Sequence, residues 1–247
     1  MKISFVIPAY NEEKYVGACV ESIISELDAN GYVLGTDAEV IVVNNASTDN
    51  TRAVAAEHSG VRVVDETRKG VVRARQAGFT VSQGDLVAFI DADATLTPGW
   101  LRVVTKTFDR DKKLSALGGY YRYLGMPPVM SLLVLVYYGV VYATYLMVRA
   151  LHVGSTLFGG NFVARRQALE KIGGFDTSIE FYGDDTHAAK SLSKVGVVRF
   201  SLRFSVTQPP RRFSGQGLVR TGFLYAINYL WVIFLNRPFT KKYKDVR

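Results

Sequence analysis

Two carboxylates one residue apart, Asp91 and Asp93, end the run Gly84-Asp85-Leu86-Val87-Ala88-Phe89-Ile90-Asp91-Ala92-Asp93. Acids this close repel each other unless a cation sits between or beside them. Mg²⁺ and Mn²⁺ accept an all-oxygen environment and typically bridge to phosphate oxygens. Alone the pattern is weak, since acidic turns are common; at the tail of an apolar strand it becomes a candidate metal and phosphate site. A second acidic pair, Asp184-Asp185, follows Tyr182-Gly183 and precedes Ala188, Leu192 and Val195, which share one helical face. Acids in that place either complement a helix N-terminus or provide a general base for a hydroxyl. Further on, Gln208-Pro209-Pro210-Arg211-Arg212-Phe213 offers guanidinium groups, whose fork geometry suits phosphate. The lone Cys19 falls in an apolar helical pattern and reads as a core residue, and His187 as a surface or packing residue.

The elements that must position these groups alternate. Ile3–Ile7 is a predicted buried strand closed by Pro8. Asn11 is expected to cap the next helix, with Glu12 and Glu13 in its first turn and Val16, Val20, Ile23, Ile24 and Leu27 as its apolar stripe. Strands follow at Val40–Val43, Val61–Val64 and Leu86–Ile90, and helices near Thr51–His58 and at Val71–Val81. Such alternation predicts right-handed βαβ units and a mainly parallel sheet flanked by helices. Ligands of such sheets bind beyond the carboxyl ends of the strands. Tyr10–Glu12, Asn44–Asp49 and Asp91–Asp93 each follow a strand, so they are expected on one rim.

The second half reads differently. Val129–Val148 carries no charge and, at about twenty residues, is long enough to span a bilayer. Its four tyrosines, with Ser131, Gly139 and Thr144, weaken that reading. It is a transmembrane helix, an interfacial helix or a buried helix lining an acceptor groove, and contact with a membrane surface is the expectation. Phe223–Leu235 is shorter and is flanked by Arg211, Arg212 and Arg220 before it and Arg237, Lys241, Lys242, Lys244 and Arg247 after it. Apolar helices edged by Lys and Arg suit an anionic leaflet; the competing reading is a packed terminal helix with a solvated basic tail.

Composition sets the outer bounds. The 247 residues, 48% hydrophobic and 21% charged, can bury a full core and exclude disorder. A single cysteine excludes an internal disulfide framework. The formal charge of +8, from 30 Lys and Arg against 22 Asp and Glu, favours anionic partners without choosing among them. The N-terminal apolar run is too short for a signal-peptide core, so the expected location is cytoplasmic, peripheral at the inner face of the cell membrane.

Ser4-Phe5-Val6-Ile7-Pro8-Ala9-Tyr10-Asn11-Glu12-Glu13, Val42-Val43-Asn44-Asn45-Ala46-Ser47-Thr48-Asp49 and Phe89-Ile90-Asp91-Ala92-Asp93 together resemble the successive motifs of family 2 glycosyltransferases, which have the GT-A fold. The similarity continues through Lys69-Gly70 and Ala74-Arg75-Gln76-Ala77-Gly78 and runs in order and spacing to about Gly217. The resemblance implies an inverting, metal-dependent transfer from a nucleoside diphosphate sugar to a hydroxyl or lipid-linked acceptor, with Mn²⁺ or Mg²⁺ as cofactor. It places Pro8, Tyr10, Asn11, Glu12, Asn45, Asp49, Lys69 and Arg75 around the donor nucleotide. Asp91 and Ala92 come near the ribose and sugar, and Asp93 on the metal. Phe158-Gly159-Gly160-Asn161 resembles the segment beneath the donor sugar, which makes Gly160, Asn161 and Asp184 donor-sugar or acceptor contacts. Asp185 takes the position of the catalytic base, and Arg211 and Arg212 that of the diphosphate contacts.

Departures from the pattern matter. Asn44-Asn45 replaces an acidic pair that many members carry; an amide both donates and accepts, so a UDP-sugar is favoured without being fixed. Asp184 replaces the usual Glu. Phe213 stands where processive members have Trp, which points to single, non-processive transfer. Gly173-Gly174-Phe175-Asp176 reads as a turn. A dinucleotide oxidoreductase would need Gly-x-Gly-x-x-Gly where Pro8-Ala9-Tyr10-Asn11 stands, and a nucleotidyltransferase its own glycine-rich loop. Nucleic-acid binding has only net charge behind it and no recognised module. The remaining rival is a non-catalytic protein that binds a nucleotide sugar or docks on membranes. The expected organisation is a nucleotide-sugar-binding half at 1–125, an acceptor-binding and catalytic half at 126–216, and an apolar helix with a basic tail at 217–247.

Overall fold

The strand-forming runs pair, in a computed structural model describing residues 1–211 and 217–240, into one eight-stranded sheet among the described residues. Arg212, Phe213, Lys241, Lys242, Lys244 and Arg247 lie outside them. The strands are β1 (Ile3–Ala9), β2 (Ala38–Asn45), β3 (Val61–Glu66), β4 (Leu86–Ile90), β5 (Thr95–Leu96), β6 (Leu114–Tyr123), β7 (Asn161–Arg165) and β8 (Val197–Gln208). Their order is β3-β2-β1-β4-β7-β6-β8-β5. The first four pair parallel, as the alternation predicts. The whole sheet is mixed, because β7 inserts between β4 and β6 antiparallel to both and β5 is antiparallel to β8. One sheet therefore runs through both halves of the chain.

Helices cover both faces. On one lie α1 (Val16–Ala29) and α4 (Trp100–Arg110), whose Val16, Cys19, Val20, Ile23, Trp100, Val104 and Phe108 are buried with Phe5, Val40 and Ala88. After α2 (Thr51–Ala56), the other face carries α3 (Val71–Val81), α6 (Arg166–Lys171) and α7 (Asp184–Ser193), packed on Val6, Val43, Phe89 and Phe162. Gly78 of α3 is required there, since a Cβ would stand 2.2 Å from a methyl of Val6.

Two local expectations are corrected. Pro8 lies inside β1, opposite Val43, and does not close the strand. Pairing with β4 ends at Val6, so Pro8 sits where β1 has one neighbour and its missing N–H costs no ladder bond. Asn11 does not cap α1, which starts at Val16 with Tyr15 before it and no side-chain cap. Instead Asn11 adopts φ 52° and its Oδ1 accepts the Thr48 N–H at 2.8 Å, which fastens the β1 loop to the β2 loop. Glu12 and Glu13 consequently precede the helix instead of forming its first turn.

The uncharged run forms α5 (Pro128–Ala150), and α8 (Leu218–Leu235) comes last. By length and composition α5 is the one helix among the described residues able to cross a membrane. It is not a buried helix: Val134, Tyr138, Tyr145 and Val148 pack on the domain, while Leu132, Leu135, Val136 and Met147 are exposed. The packed face is aromatic, with Tyr138 on Phe158 and Tyr145 on Phe200 at centroid distances of 5.8 and 6.1 Å.

Candidate active site

The carboxyl end of β4 turns at once, with the Ala94 N–H donating to the Asp91 carbonyl at 2.9 Å, and this leaves both acids on the rim. Asp91 packs on the Gly159-Gly160 segment that leads into β7. A Cβ on Gly160 would stand 2.0 Å from Asp91 Oδ2, and one on Gly159 would stand 2.5 Å from Arg75 Nη2. Glycine is needed at both positions because charged groups approach the bare backbone. The Gly160 N–H donates to the Tyr121 hydroxyl at 2.8 Å.

Two arginines, one buried and one half-buried, organise the acids. Arg75, on α3, has a side chain only 6% exposed; it donates to Asp91 Oδ1 at 3.5 Å and to Asp184 on α7. It therefore ties the end of β4 to the start of α7 through an internal ion pair while still lining the cleft. Arg211, at the end of the β8 segment, donates to Glu12 at 2.9 Å and to Asp93, and its guanidinium lies 4.7 Å from the Tyr15 ring centroid.

Asp184 and Asp185 open α7 behind Gly183, whose φ of 82° is left-handed. Asp184 is the partner of Arg75. Asp185 has no cationic partner of its own among the described residues, and its Oδ1 accepts the Thr186 N–H at 2.7 Å. Burial, and after it the charge of Asp184, pushes the Asp185 carboxyl up to about 7. Such a group is a proton acceptor near neutrality. Burial also pushes the Cys19 thiol up, with Asp93, Asp91 and Glu12 adding to it, so the core reading of Cys19 matches its environment.

One open cleft of about 450 Å³ connects these groups. Pro8, Glu12, Asp91, Ala92, Asp93 and Arg211 line it towards the strand ends; Gly160, Arg75, Asp184 and Asp185 line its middle. Beyond them the walls are aromatic and apolar, from α5 and α8. Six of the predicted site residues lie outside the cleft lining, most of them bonded within the rim. Asn45 is buried, donates to the Glu66 and Arg68 carbonyls and accepts the Gly70 N–H at 2.7 Å, which shapes the loop before α3. Asp49 accepts from the Glu13 and Thr51 backbone; burial opposes its charge, but the Thr51 and Glu13 donors outweigh that and hold its pKa low. Asn161 is fully buried, accepts Trp100 Nε1–H at 3.0 Å and donates to the Tyr120 and Phe204 carbonyls. Asn11 bonds to the β2 loop as above. Lys69 sits 3.8 Å above the Tyr10 ring, and this pair stands outside the cleft lining.

Asn161→Ala is accordingly expected to behave as a stability lesion. Orphaning Trp100 and two carbonyls should cost about 1–3 kcal/mol, seen as a lower Tm, while the KM for a sugar donor stays near wild type. A variant with unchanged Tm and a raised donor KM would return Asn161 to the binding site.

Residues missed in the sequence are mostly aromatic: Tyr121 beneath Gly160, and Tyr137, Tyr225 and Tyr229 on the cleft walls. No periodicity separates such tyrosines from core tyrosines, so no sequence signal marks them.

The donor set suits a particular kind of metal. Among the described residues no three acids or histidines converge as a complete ligand cage. Asp93, beside Asp91, offers one or two carboxylates, the usual protein share for an ion held largely by substrate phosphates and water. The Arg211 guanidinium on Asp93 and Glu12 marks a place built for positive charge.

Residues 4–173 match the family model described as Glycosyl transferase family 2. Among curated proteins, the glycosyltransferase GlyA of Streptococcus pneumoniae is 28% identical over 126 residues, 49% of this chain and 17% of that protein. The chondroitin synthase of Pasteurella multocida is 30% identical over 119 residues, 47% of this chain and 12% of that protein. The chain thus spans a small part of the length of these relatives. Among solved structures, the mannosyltransferase PcManGT from Pyrobaculum calidifontis, in complex with GDP-Man and Mn²⁺, superposes with a TM-score of 0.69 at 21% identity, covering 95% of this chain and 63% of that one. Glucosyl-3-phosphoglycerate synthase from Mycobacterium tuberculosis, with Mn²⁺, UDP-glucose and phosphoglyceric acid, gives 0.64 at 23% identity, covering 94% and 79%. At these identities the likeness speaks for the fold.

Proposed function

The chain belongs to glycosyl transferase family 2 and has the GT-A fold, and from that membership we propose an inverting, metal-dependent transfer of a sugar from a nucleoside diphosphate sugar to a hydroxyl-bearing or lipid-linked acceptor. The observation that carries this reading is one cleft with Asp91, Asp93 and Arg211 towards the strand ends and Asp185 beyond them. On this reading Asp93 would hold a divalent cation, Mn²⁺ or Mg²⁺, which when bound would supply positive charge against the leaving diphosphate. Arg211, paired with Glu12 and Asp93, lines the same part of the cleft and would add its guanidinium to that charge. Asp185 accepts the acceptor hydroxyl proton as the oxygen bonds to the anomeric carbon, and the bond to the diphosphate breaks on the opposite side, inverting the centre. Asp91, steadied by Arg75 and seated on Gly160, orients the sugar. The donor half is 1–125 and the acceptor half 126–216, joined by one sheet.

A UDP-sugar remains the first donor to test, although Asn45 is spent on the loop before α3 and leaves base reading to other groups. Thermal shift against UDP- and GDP-sugars, with and without Mn²⁺, tests the reading. A metal-dependent rise in Tm with one donor, and hydrolysis or transfer of its sugar, is expected; no response to any nucleoside diphosphate sugar contradicts it.

We place the protein peripherally at an anionic membrane face on the cytoplasmic side. In support, α5 is held along one face from Val134 to Val148, a length of about 21 Å at 1.5 Å per residue, so it lies against the domain instead of leaving it. Its opposite face, with Phe223, Phe234 and Leu235 of α8, is exposed and apolar, and Arg149, Arg220 and Arg237 lie at the helix ends. In flotation, the full chain should rise with vesicles containing anionic phospholipid and less with zwitterionic ones. A protein that stays wholly soluble without detergent and ignores both contradicts this placement.

A further inference from the structure

The cleft continues past Asp185 into a slot between α5 and α8. Each helix contributes a regular stripe: positions 133, 137, 140, 141 and 144 of α5, and 222, 225, 226, 229 and 230 of α8. These spacings of three and four put each set on one helical face. At the polar end the slot meets Asp185. Leu133, Val140 and Leu230 line it yet are 47, 60 and 47% exposed, so the slot is open to the surface at these side chains. α8 is fixed at its C-terminal end, where Lys190 of α7 donates to the Val232 carbonyl at 3.4 Å and to the Asn236 side chain at 2.7 Å. The slot is therefore a gap between two anchored helices, lined by aliphatic and aromatic side chains with the Tyr137, Thr144, Tyr225 and Tyr229 hydroxyls among them, in one cleft with the acids.

The charges bear on what enters. Five carboxylates (Glu12, Asp91, Asp93, Asp184 and Asp185) line the cleft against two guanidiniums, Arg75 and Arg211, both already paired to those acids. A bound divalent ion is offset by the diphosphate it carries, so the acceptor meets a net acidic wall. An anionic head beside Asp185 is repelled, while an uncharged hydroxyl is accepted. An apolar slot that opens on exposed aliphatic side chains fits a hydrocarbon chain.

We propose that the slot between α5 and α8 seats the hydrocarbon chain of a glycolipid acceptor and presents its uncharged sugar hydroxyl to Asp185. The inference rests on the glycosyl-transfer reading above. Gly222 supplies the width: it lines the slot, and a Cβ there meets nothing within 4 Å. Gly222→Leu therefore narrows the slot without a clash and replaces a poor helix former. Gly139→Leu is the matched control, since Gly139 is equally open on α5 but does not line the slot.

The test uses the full chain and hexadecyl β-glucoside carrying a diazirine in its alkyl chain, with labelled peptides mapped by mass spectrometry. Saturable labelling confined to the two stripes is expected, competed by unlabelled hexadecyl glucoside and much less by hexadecyl phosphate. Gly222→Leu should lower it about tenfold, a single step of binding energy, and Gly139→Leu should leave it unchanged. Labelling spread over Leu132 and Leu135, indifference to Gly222→Leu, or equal competition by the phosphate would overturn the inference. Calorimetry of UDP and GDP with Mn²⁺ on the same samples separates the failures. An unlabelled slot in a protein that binds nucleotide removes the glycolipid seat alone; a labelled slot in one that binds neither nucleotide removes the transfer reading.

Discussion

Asp185→Asn is expected to lower kcat for sugar transfer by about 10²–10⁴-fold, the range for loss of a positioned general base. Asparagine keeps the shape and the acceptor for the Thr186 N–H but cannot take a proton. The pH profile identifies the role. With its carboxyl near 7, Asp185 in the wild type is active once ionised, so kcat/KM should rise with pH up to about 7 and then level. The residual activity of the variant should lack that limb. Stability should move the other way. An unfolded Asp titrates near ~3.9, so between there and about 7 the folded state keeps a proton that the unfolded state has released. Stability from this group is full below the unfolded value and is lost as pH rises through the folded one. Above neutrality the wild type therefore buries a carboxylate beside Asp184, and Asp185→Asn, free of that charge, should melt higher at pH 8. The gap should close towards pH 4. A variant with activity within about threefold of wild type, or one that melts lower at pH 8, contradicts the base assignment.

Asp93→Ala is expected to abolish metal-dependent nucleotide binding and to lower turnover by roughly 10³-fold. A divalent ion on a leaving phosphate supplies several kcal/mol, and each 1.36 kcal/mol is a factor of ten. Calorimetry of UDP or GDP with and without Mn²⁺ reads the first effect; hydrolysis of the donor that responds in thermal shift reads the second. Folding should survive, because Arg211 keeps Glu12 and the Tyr15 ring after losing Asp93. A loss of about 1 kcal/mol is the expected scale for one partner of a part-exposed pair. Metal-stimulated turnover that persists in Asp93→Ala would move the cation to other residues and leave Asp93 as the counter-ion of Arg211.

The second effect turns on an ion pair, and the acids around Asp185 on another. Asp93 is paired with Arg211, and Asp91 and Asp184 with Arg75. On the proposed reading a cation at Asp93 would compete with Arg211 for that acid. The second pair is deeper and holds the two walls of the cleft together. Arg75 thus acts through the residues it positions, whereas Arg211 is proposed to meet the diphosphate directly.

Sequence alone determined what depends on near neighbours. Val71–Val81 and Leu86–Ile90 fold over the residues their patterns mark, because helix and strand periods are written in the spacing of apolar side chains. The acids at 91 and 93 were legible for the same reason: a strand that ends in charge must deliver that charge to the rim of a sheet. Gly159-Gly160 was legible as a close approach, although not what approaches. Tertiary structure decided the partners. Glu12 and Arg211 meet across 199 positions and Arg75 and Asp184 across 109, and no local pattern encodes contacts at such range. It also decided which amides remain for a ligand. Asn45 and Asn161 stand in motifs that suit donor contacts, yet each lies beside backbone groups that burial would otherwise leave unpaired, and an unmet buried hydrogen bond outweighs an exposed one. The same holds for α5, whose composition allowed three placements. Packing of Val134, Tyr138, Tyr145 and Val148 on the domain ruled out a wholly buried helix and left the opposite face exposed.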